Sequence, residues 1–325
     1  MRNTAMGIIL SFALLLSIAG TASAIKGGGT GPADPPPITS VPSNQEVIFH
    51  ALPGGCLDCF TGGVKLRNAP PSPPSAAGTI TVPATVAANA VFAHLFWVIL
   101  DDVVPPATET FNDVALARVA CGPVTGDPCW DTAFAYAYHA DVLGLLAPGD
   151  NTITLPDAGP PIGGAPNAEG ASLVVAYTTT TADKEIIVTC GNDLLDPGAG
   201  ASLVSLALPV VTGPGIGADL TFIVGDGQEI WPDEAFWNGV ALDAGNAFQG
   251  LDPGPGTTDG GGGYWDTLNF SVFTGPPNTA EVDITFGAFD CLNWVSTVLC
   301  TKTGPCRATP VEPSTWGRIK KQYGR

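Results

Sequence analysis

Val91-Phe92-Ala93-His94-Leu95-Phe96-Trp97-Val98-Ile99-Leu100 is an apolar run broken by one histidine and closed by Asp101-Asp102. Its length and bulk fit a strand in the core of a β-sandwich better than a helix. Working outward, the sequence predicts strands at 112–120, 132–139, 151–155, 171–178, 184–190, 201–211, 218–224, 264–273, 280–288 and 292–300. Turn residues separate them, as in Pro148-Gly149-Asp150-Asn151 and Gly275-Pro276-Pro277-Asn278. The pattern is all-β.

Composition agrees. The 325 residues include 41 Gly and 31 Pro, too many breakers for a coiled coil or helical bundle. A mean hydropathy of +0.26 argues against disorder. With 30 acidic against 12 basic side chains, nucleic acid is excluded as a partner, because the surface would repel phosphates.

An internal repeat divides the body. Phe111-Asn112-Asp113-Val114-Ala115-Leu116 recurs as Trp237-Asn238-Gly239-Val240-Ala241-Leu242, and Cys129-Trp130-Asp131-Thr132 as Tyr264-Trp265-Asp266-Thr267. An apolar strand ending in an aspartate precedes each half: Phe96 to Asp101, and Phe222 to Asp226. A Thr/Ile strand and an apolar strand follow, at Thr152–Leu155 and Leu173–Val175, then at Asp283–Phe286 and Trp294–Ser296. The order is conserved throughout, so we expect two related jelly-roll-like β-sandwiches in tandem, 44–195 and 196–306.

The ends carry the address. Arg2, the apolar Met6–Ile18 and Ala22-Ser23-Ala24 read as a secretory signal over residues 1–24, followed by a flexible Gly/Pro leader at 25–43. No later run approaches the length of a membrane helix, so no transmembrane segment is expected in the mature chain. The expected location is secreted or at the cell surface. Eight cysteines (Cys56, Cys59, Cys121, Cys129, Cys190, Cys291, Cys300, Cys306) suit disulfides in an exported chain. Short loops suggest Cys121–Cys129, then Cys300–Cys306 and Cys56–Cys59, leaving Cys190 and Cys291 for a long-range pair. The alternative is a zinc site at Cys56-Leu57-Asp58-Cys59, which lacks a second pair at similar spacing.

Residues 307–325 reverse the charge: five basic residues and one acidic follow a mature body with 29 acidic and 6 basic. Trp316, Ile319 and Tyr323 share one helical face behind Ser314. The segment, with Trp316, Arg318, Lys320, Lys321 and Tyr323, reads either as a recognition or retention signal or as a basic end folding back on an acidic body.

Two resemblances follow from these residues. Leu95-Phe96-Trp97 before Asp101, Tyr138-His139-Ala140-Asp141-Val142, Gly149-Asp150-Asn151-Thr152 and Gly170-Ala171-Ser172-Leu173-Val174-Val175-Ala176-Tyr177 together resemble the DUF3344-type module. That resemblance covers about residues 85–190, with a looser echo in 218–300. Leu143 stands where a Thr is usual after Asp-Val. It implies a β-rich domain of secreted and cell-surface prokaryotic proteins, a family without assigned chemistry. The tail is similar to short Trp-Gly-x-x-Lys endings of exported bacterial proteins.

Catalytic motifs are sparse. Ser172 and Ser202 lack the final Gly of a nucleophile elbow and lead into strands. Glu281-Val282-Asp283 begins like the carboxylate strand of a sandwich glycosidase, but Thr285 stands where a second Glu is needed. Glu281 and Asp283 therefore read as a strand's solvent face, with no candidate to protonate a leaving group. His94 reads as a core residue, and His139 with Asp141 as a half-site lacking a third ligand. For Ca²⁺ the candidate ligands are Asp101, Asp102, Asp226 and Glu229, with a further loop at Asp259-Gly260-Gly261. No other cofactor is expected. Trp130 and Trp265 are candidates for stacking on sugar faces, against the commoner role of sandwich-core anchors.

The leading expectation is a non-enzymatic structural or adhesive protein binding a cell-surface polymer, a glycan or a protein partner. Its alternatives are a secreted polysaccharide-active hydrolase and a lattice or filament subunit pairing by strand addition.

Overall fold

The computed structural model describes residues 40–71, 73–126, 132–159, 165–196, 203–228, 233–243, 245–255, 264–284 and 291–306. The decisive run lies in the strand Ala90–Asp101, nearly all of it buried. Side chains alternate across a strand, so a continuous apolar run needs cover on both faces. Ala93, Leu95, Trp97 and Ile99 enter one core with Ala171, Leu173 and Val175. Phe92, Phe96, Val98 and Leu100 enter another with Val174 and Ala176.

Four sheets supply that cover. The first inner sheet runs Leu57–Lys65, Asn167–Thr178, Ala90–Asp101, Phe134–Asp141, Val119–Ala120. The first outer sheet, Ser75–Val82, Gly149–Pro156, Thr110–Phe111 and Val114–Ala115, closes the first core with Ile80, Val82, Phe111, Ile153 and Leu155. The second inner sheet runs Trp265–Phe273, Gly217–Gly225, Leu292–Gly304, Asp183–Cys190, Glu46–Ala51. Leu220, Phe222, Val224 and Trp294 on that sheet pack against Val204, Ala235, Trp237 and Val282 of a second outer sheet, which includes Leu203–Ala207, Thr279–Ile284 and Asp233–Trp237. The third core lies between the two inner sheets, where Phe96, Val98 and Val174 meet Ile186, Val188, Ile223, Trp265, Val295 and Val298. The all-β sandwich expectation is met.

The repeat has a geometric counterpart. Phe111↔Val114 and Trp237↔Val240 close two-residue hairpins. Their turns have φ of 50° and 64° at Asn112 and Asp113, and 53° and 74° at Asn238 and Gly239. Positive φ at both central positions marks a type I′ turn, which favours Asn, Asp and Gly. Each first asparagine uses its side-chain carbonyl in the same way: Thr152 N–H donates to Asn112 Oδ1 and Thr279 N–H to Asn238 Oδ1, both at 2.8 Å.

Other expectations change. The stretch 112–120 is two short strands, because the chain leaves the outer sheet after Val114–Ala115 and enters the inner one at Val119–Ala120. Strand pairing also crosses the expected boundary at 195. Glu46–Ala51 and Asp183–Cys190 precede it but pair within the second inner sheet, where Ile187 fills the second core.

The disulfides are corrected as well. Cys56 bonds Cys306, Cys59 bonds Cys300, and Cys121 bonds Cys190, at Cα separations of 5.0, 6.5 and 5.2 Å. Each joins the first inner sheet or its flank to the second, so the local pairings Cys56–Cys59, Cys300–Cys306 and Cys121–Cys129 do not form. The Cys56-x-x-Cys59 zinc reading falls with them, since each thiol is committed to a different partner. Cys291 is also disulfide-bonded; Cys129 lies outside the described residues. Bridges closing loops of 250, 241 and 69 residues restrict the unfolded chain more than short loops would. No helix among the described residues is long and apolar enough to cross a membrane.

Truncation should separate interface from surface. Phe96→Ala empties a fully buried position between the inner sheets and should cost about 3–5 kcal/mol. Phe273→Ala, at 70% exposure, should change stability by no more than about 0.5 kcal/mol. Urea unfolding with disulfides intact measures both.

Candidate functional site

A cleft of about 820 Å³ opens where the edges of the first sandwich meet a loop of the second. Its walls come from Phe60–Gly63, Ala77–Thr81 and Asp252–Pro255, with Thr267 beside the loop. Glycine makes the junction. A Cβ on Gly63 would lie 1.8 Å from Asp252 Oδ2 and 2.0 Å from Thr267 Oγ1, so only Gly lets that carboxyl approach the strand Leu57–Lys65. The loop returns at Gly254, whose φ of 145° and lack of a Cβ bring it against Lys65, while Lys65 N–H donates to Pro253 O at 3.1 Å.

Asp252 is half-buried at the end of a hydrogen-bond chain. Trp265 Nε1–H donates to Ser172 Oγ at 2.8 Å, the Ser172 and Thr267 hydroxyls are 2.7 Å apart, and Thr267 Oγ1–H donates to Asp252 Oδ2 at 2.6 Å. Indole N–H can only donate and a carboxylate oxygen accepts, so the chain has one direction: Trp265 to Ser172 to Thr267 to Asp252. Burial, with the neighbouring Asp266 carboxylate, pushes Asp252 up to about 7, although the bond from Thr267 opposes the shift. Asp266 is fully buried, and burial pushes it up to about 6. Its oxygens accept N–H bonds from Gly250 and Leu251 at 2.7 and 2.8 Å, which fixes the loop that presents Asp252.

A buried ion cluster holds the next layer. Arg67 pairs with Glu169 and, at 3.2 Å, with Asp226 Oδ1; its guanidinium lies 3.6 Å from the centroid of the Tyr264 ring. Arg67 and Glu169 belong to the first sandwich, Asp226 and Tyr264 to the second. A Cβ on Gly170 would lie 2.3 Å from Trp265 Cγ, so this glycine admits the indole between the sheets.

The sequence candidates fare unevenly. Asp226 is an ion-pair partner of Arg67, a cation it shares with Glu169. Asp101 is buried and accepts the Asp102 N–H at 2.7 Å; Asp102 accepts the Ala133 N–H at 3.0 Å. Trp265 is fully buried, so it anchors the core and cannot stack on a sugar. Trp130, Glu229, Asp259, Ser202 and the tail residues Trp316, Arg318, Lys320, Lys321 and Tyr323 lie outside the described residues. Glu281 and Asp283 are half-buried, with Glu234 paired opposite Asp283. Burial and those two glutamates push Asp283 up to about 6. Ser172, expected at the entry of a strand, sits inside Asn167–Thr178 and is the relay's second member. Sequence reading missed Asp252, Thr267, Arg67 and Glu169. The one available signal was Gly62-Gly63 in an otherwise strand-like stretch, a mark of close approach by another group.

No family model matches the chain, and no curated protein matches it. Solved structures do. One is a peptide-N(4)-(N-acetyl-β-D-glucosaminyl)asparagine amidase, 12% identical, with 77% of this chain and 98% of that chain covered, at a TM-score of 0.24. Another is PNGase F, a glycosylasparaginase from Flavobacterium meningosepticum, 12% identical, with 76% and 96% covered, at a TM-score of 0.20. The expectation of a non-enzymatic structural or adhesive protein finds no counterpart in these neighbours, which are named as amidases, and it is not carried further. Likeness at that level transfers neither residues nor mechanism.

The raised carboxyl gives a pH signature. An unfolded Asp titrates near 3.9, so the folded state binds more protons between there and about 7. Stability conferred by neutral Asp252 is full below about pH 3.9 and is lost as pH rises through about 7. Asp252→Asn removes that loss. Its melting temperature should gain on the wild type between pH 4 and pH 8, read by scanning calorimetry at several pH values; a constant offset across that range would refute the assignment.

Proposed function

We propose that this protein is an exported glycan-active hydrolase in which Asp252 is the general acid. The observation that carries the reading is a carboxyl at a cleft, kept protonated to about pH 7 by its surroundings. General acid catalysis is most efficient when the donor's pKa lies near the working pH. Because Oδ2 accepts from Thr267, Oδ1 is the oxygen assigned to carry the acid proton in this reading. Thr61, Thr79 and Thr81 add hydroxyls to the cleft wall, suited to the donor-and-acceptor chemistry of sugar hydroxyls. The chain Trp265–Ser172–Thr267 acts on Asp252 and not on substrate, so these are positioning residues. Export rests on the sequence signal and is supported by the disulfides.

The test is turnover on a panel of plant, bacterial and algal glycans and glycopeptides, with products read by mass spectrometry. Asp252→Asn should lower the rate about 10²–10⁴-fold, the usual span for a general acid. The wild-type rate should fall as pH rises past about 7, when the donor loses its proton. Thr267→Val should move that limb while leaving a measurable rate. No turnover on any member of the panel, or full turnover by a folded Asp252→Asn protein, would sink the reading.

A further inference from the structure

We propose that a polar shelf beside Thr61 is a second sugar-binding subsite, continuous with the cleft at Asp252, and that it selects a neutral glycan chain of several units. The inference rests on the hydrolase reading of that cleft. Thr61 lines two cavities: the cleft on one side and, on the other, a recess of about 240 Å³ walled by Lys184, Asp219, Thr221, Asn269 and Ser271. A chain leaving Asp252 along the Thr61 wall enters that recess next.

Strand geometry makes the recess. On the second inner sheet Thr221 stands opposite Asn269 and Asp219 opposite Ser271, so these four side chains share one face with Thr267. The edge strand of the first inner sheet, Leu57–Lys65, crosses that face obliquely. Gly63 meets Thr267 on the edge strand Trp265–Phe273, and Thr61 Oγ1–H donates to Asn269 Oδ1 at 3.3 Å. Cys59, at the other end, is bonded to Cys300, two strands further in. Neighbouring strands lie about 4.8 Å apart, so the cover has withdrawn by about 10 Å when it reaches Cys59. Asn269 and Ser271 are left exposed. From Thr267 to Ser271 the shelf runs about 13 Å at the rise of a strand, longer than one sugar ring.

The groups on the shelf match sugar hydroxyls. Asn269 Oδ1 accepts from Thr61 and Thr221, which fixes the amide and leaves its Nδ2 hydrogens without a partner among the described residues. Ser271 adds a hydroxyl that can donate and accept. Charge on the shelf is balanced. Lys184 pairs with Asp58 at 2.6 Å and with Asp219 at 3.5 Å, and Lys302 holds the other Asp219 oxygen at 2.9 Å. Two lysines facing two aspartates leave no surplus cation for a uronate or a sulfate. Over the whole chain, 30 acidic against 12 basic side chains repel such a polyanion. A neutral chain meets no such repulsion, and its hydroxyls find both carboxylate acceptors and amide donors.

Isothermal titration calorimetry on the folded Asp252→Asn protein tests this. The probes are cello-, xylo-, manno- and N-acetylchito-oligosaccharides of two to six units, with oligogalacturonates as the anionic series. At least one neutral series should bind, its affinity rising about tenfold between two and five units, as one or two added hydrogen bonds would give. Oligogalacturonates should gain nothing with length. Asn269→Ala should erase most of the gain, and Ser271→Trp, which fills the recess from an exposed position, should erase it by blocking the site. Failure of every neutral series to bind, an equal gain for oligogalacturonates, or a gain that survives both variants would overturn the subsite. Wild-type turnover on the same ladder separates this from the role of Asp252. Turnover that depends on Asp252 but runs as fast on two units as on six keeps the acid and removes the subsite. Length-dependent binding without turnover removes the acid and keeps the subsite.

Discussion

The face-to-face burial of the two inner sheets is the interaction on which the rest of this molecule depends. Phe96, Val98 and Val174 on one side and Ile223, Trp265, Val295 and Val298 on the other are each less than 2% exposed. Burial of apolar surface is worth about 25 cal/mol per Å², so this contact favours the two sandwiches staying together. The three described disulfides then cross it from one side to the other, which restricts the unfolded chain as well.

A double-sided core has a polar cost, because every donor and acceptor trapped in it must find a partner. The junction answers part of that demand with side chains that reach across, while Asn293 Oδ1 is buried without a partner. Asn192 donates to Pro123 O and Ala135 O at 2.9 and 3.0 Å, and accepts from Asn293 at 2.9 Å. Arg67 sits between Glu169 and Asp226, and Trp265 delivers its indole hydrogen to Ser172. The relay ending at Asp252 belongs to this same set of cross-sheet bonds.

Much of the fold was legible because it rests on local rules. The apolar run at 91–100 read as a sandwich-core strand, and Phe111–Leu116 with Trp237–Leu242 read as a repeat, which the structure realises as two matching tight hairpins. What could not be read was which strand joins which sandwich. Asp183–Cys190 is as apolar as its neighbours, and only pairing with Leu292–Gly304 assigns it to the second. Cysteine pairing failed for the same reason. Loop length favours near neighbours, whereas Cys56 and Cys59 lie on a sheet that faces Cys300 and Cys306. Asp252 was invisible because its acidity is set by Gly63, Thr267 and Asp266, distant in sequence or silent in character.

The acid and the junction share one cause. Asp252 is pushed to about 7 chiefly because it is buried, and what buries it is the first sandwich's strand edge at Gly63, seated against the second sandwich's loop. A second sandwich alone would present the same Asp252-Pro253-Gly254-Pro255 loop to water. The carboxyl would then lose its desolvation and return toward an ordinary aspartate, ionised at neutral pH. The raised pKa of Asp252 is therefore a property of the assembled pair of sandwiches and not of either repeat. This gives a physical reason for cross-linking an interface that is already well packed: a small opening would admit water to Asp252 long before it unfolded the protein, and disulfides across the joint oppose that opening directly.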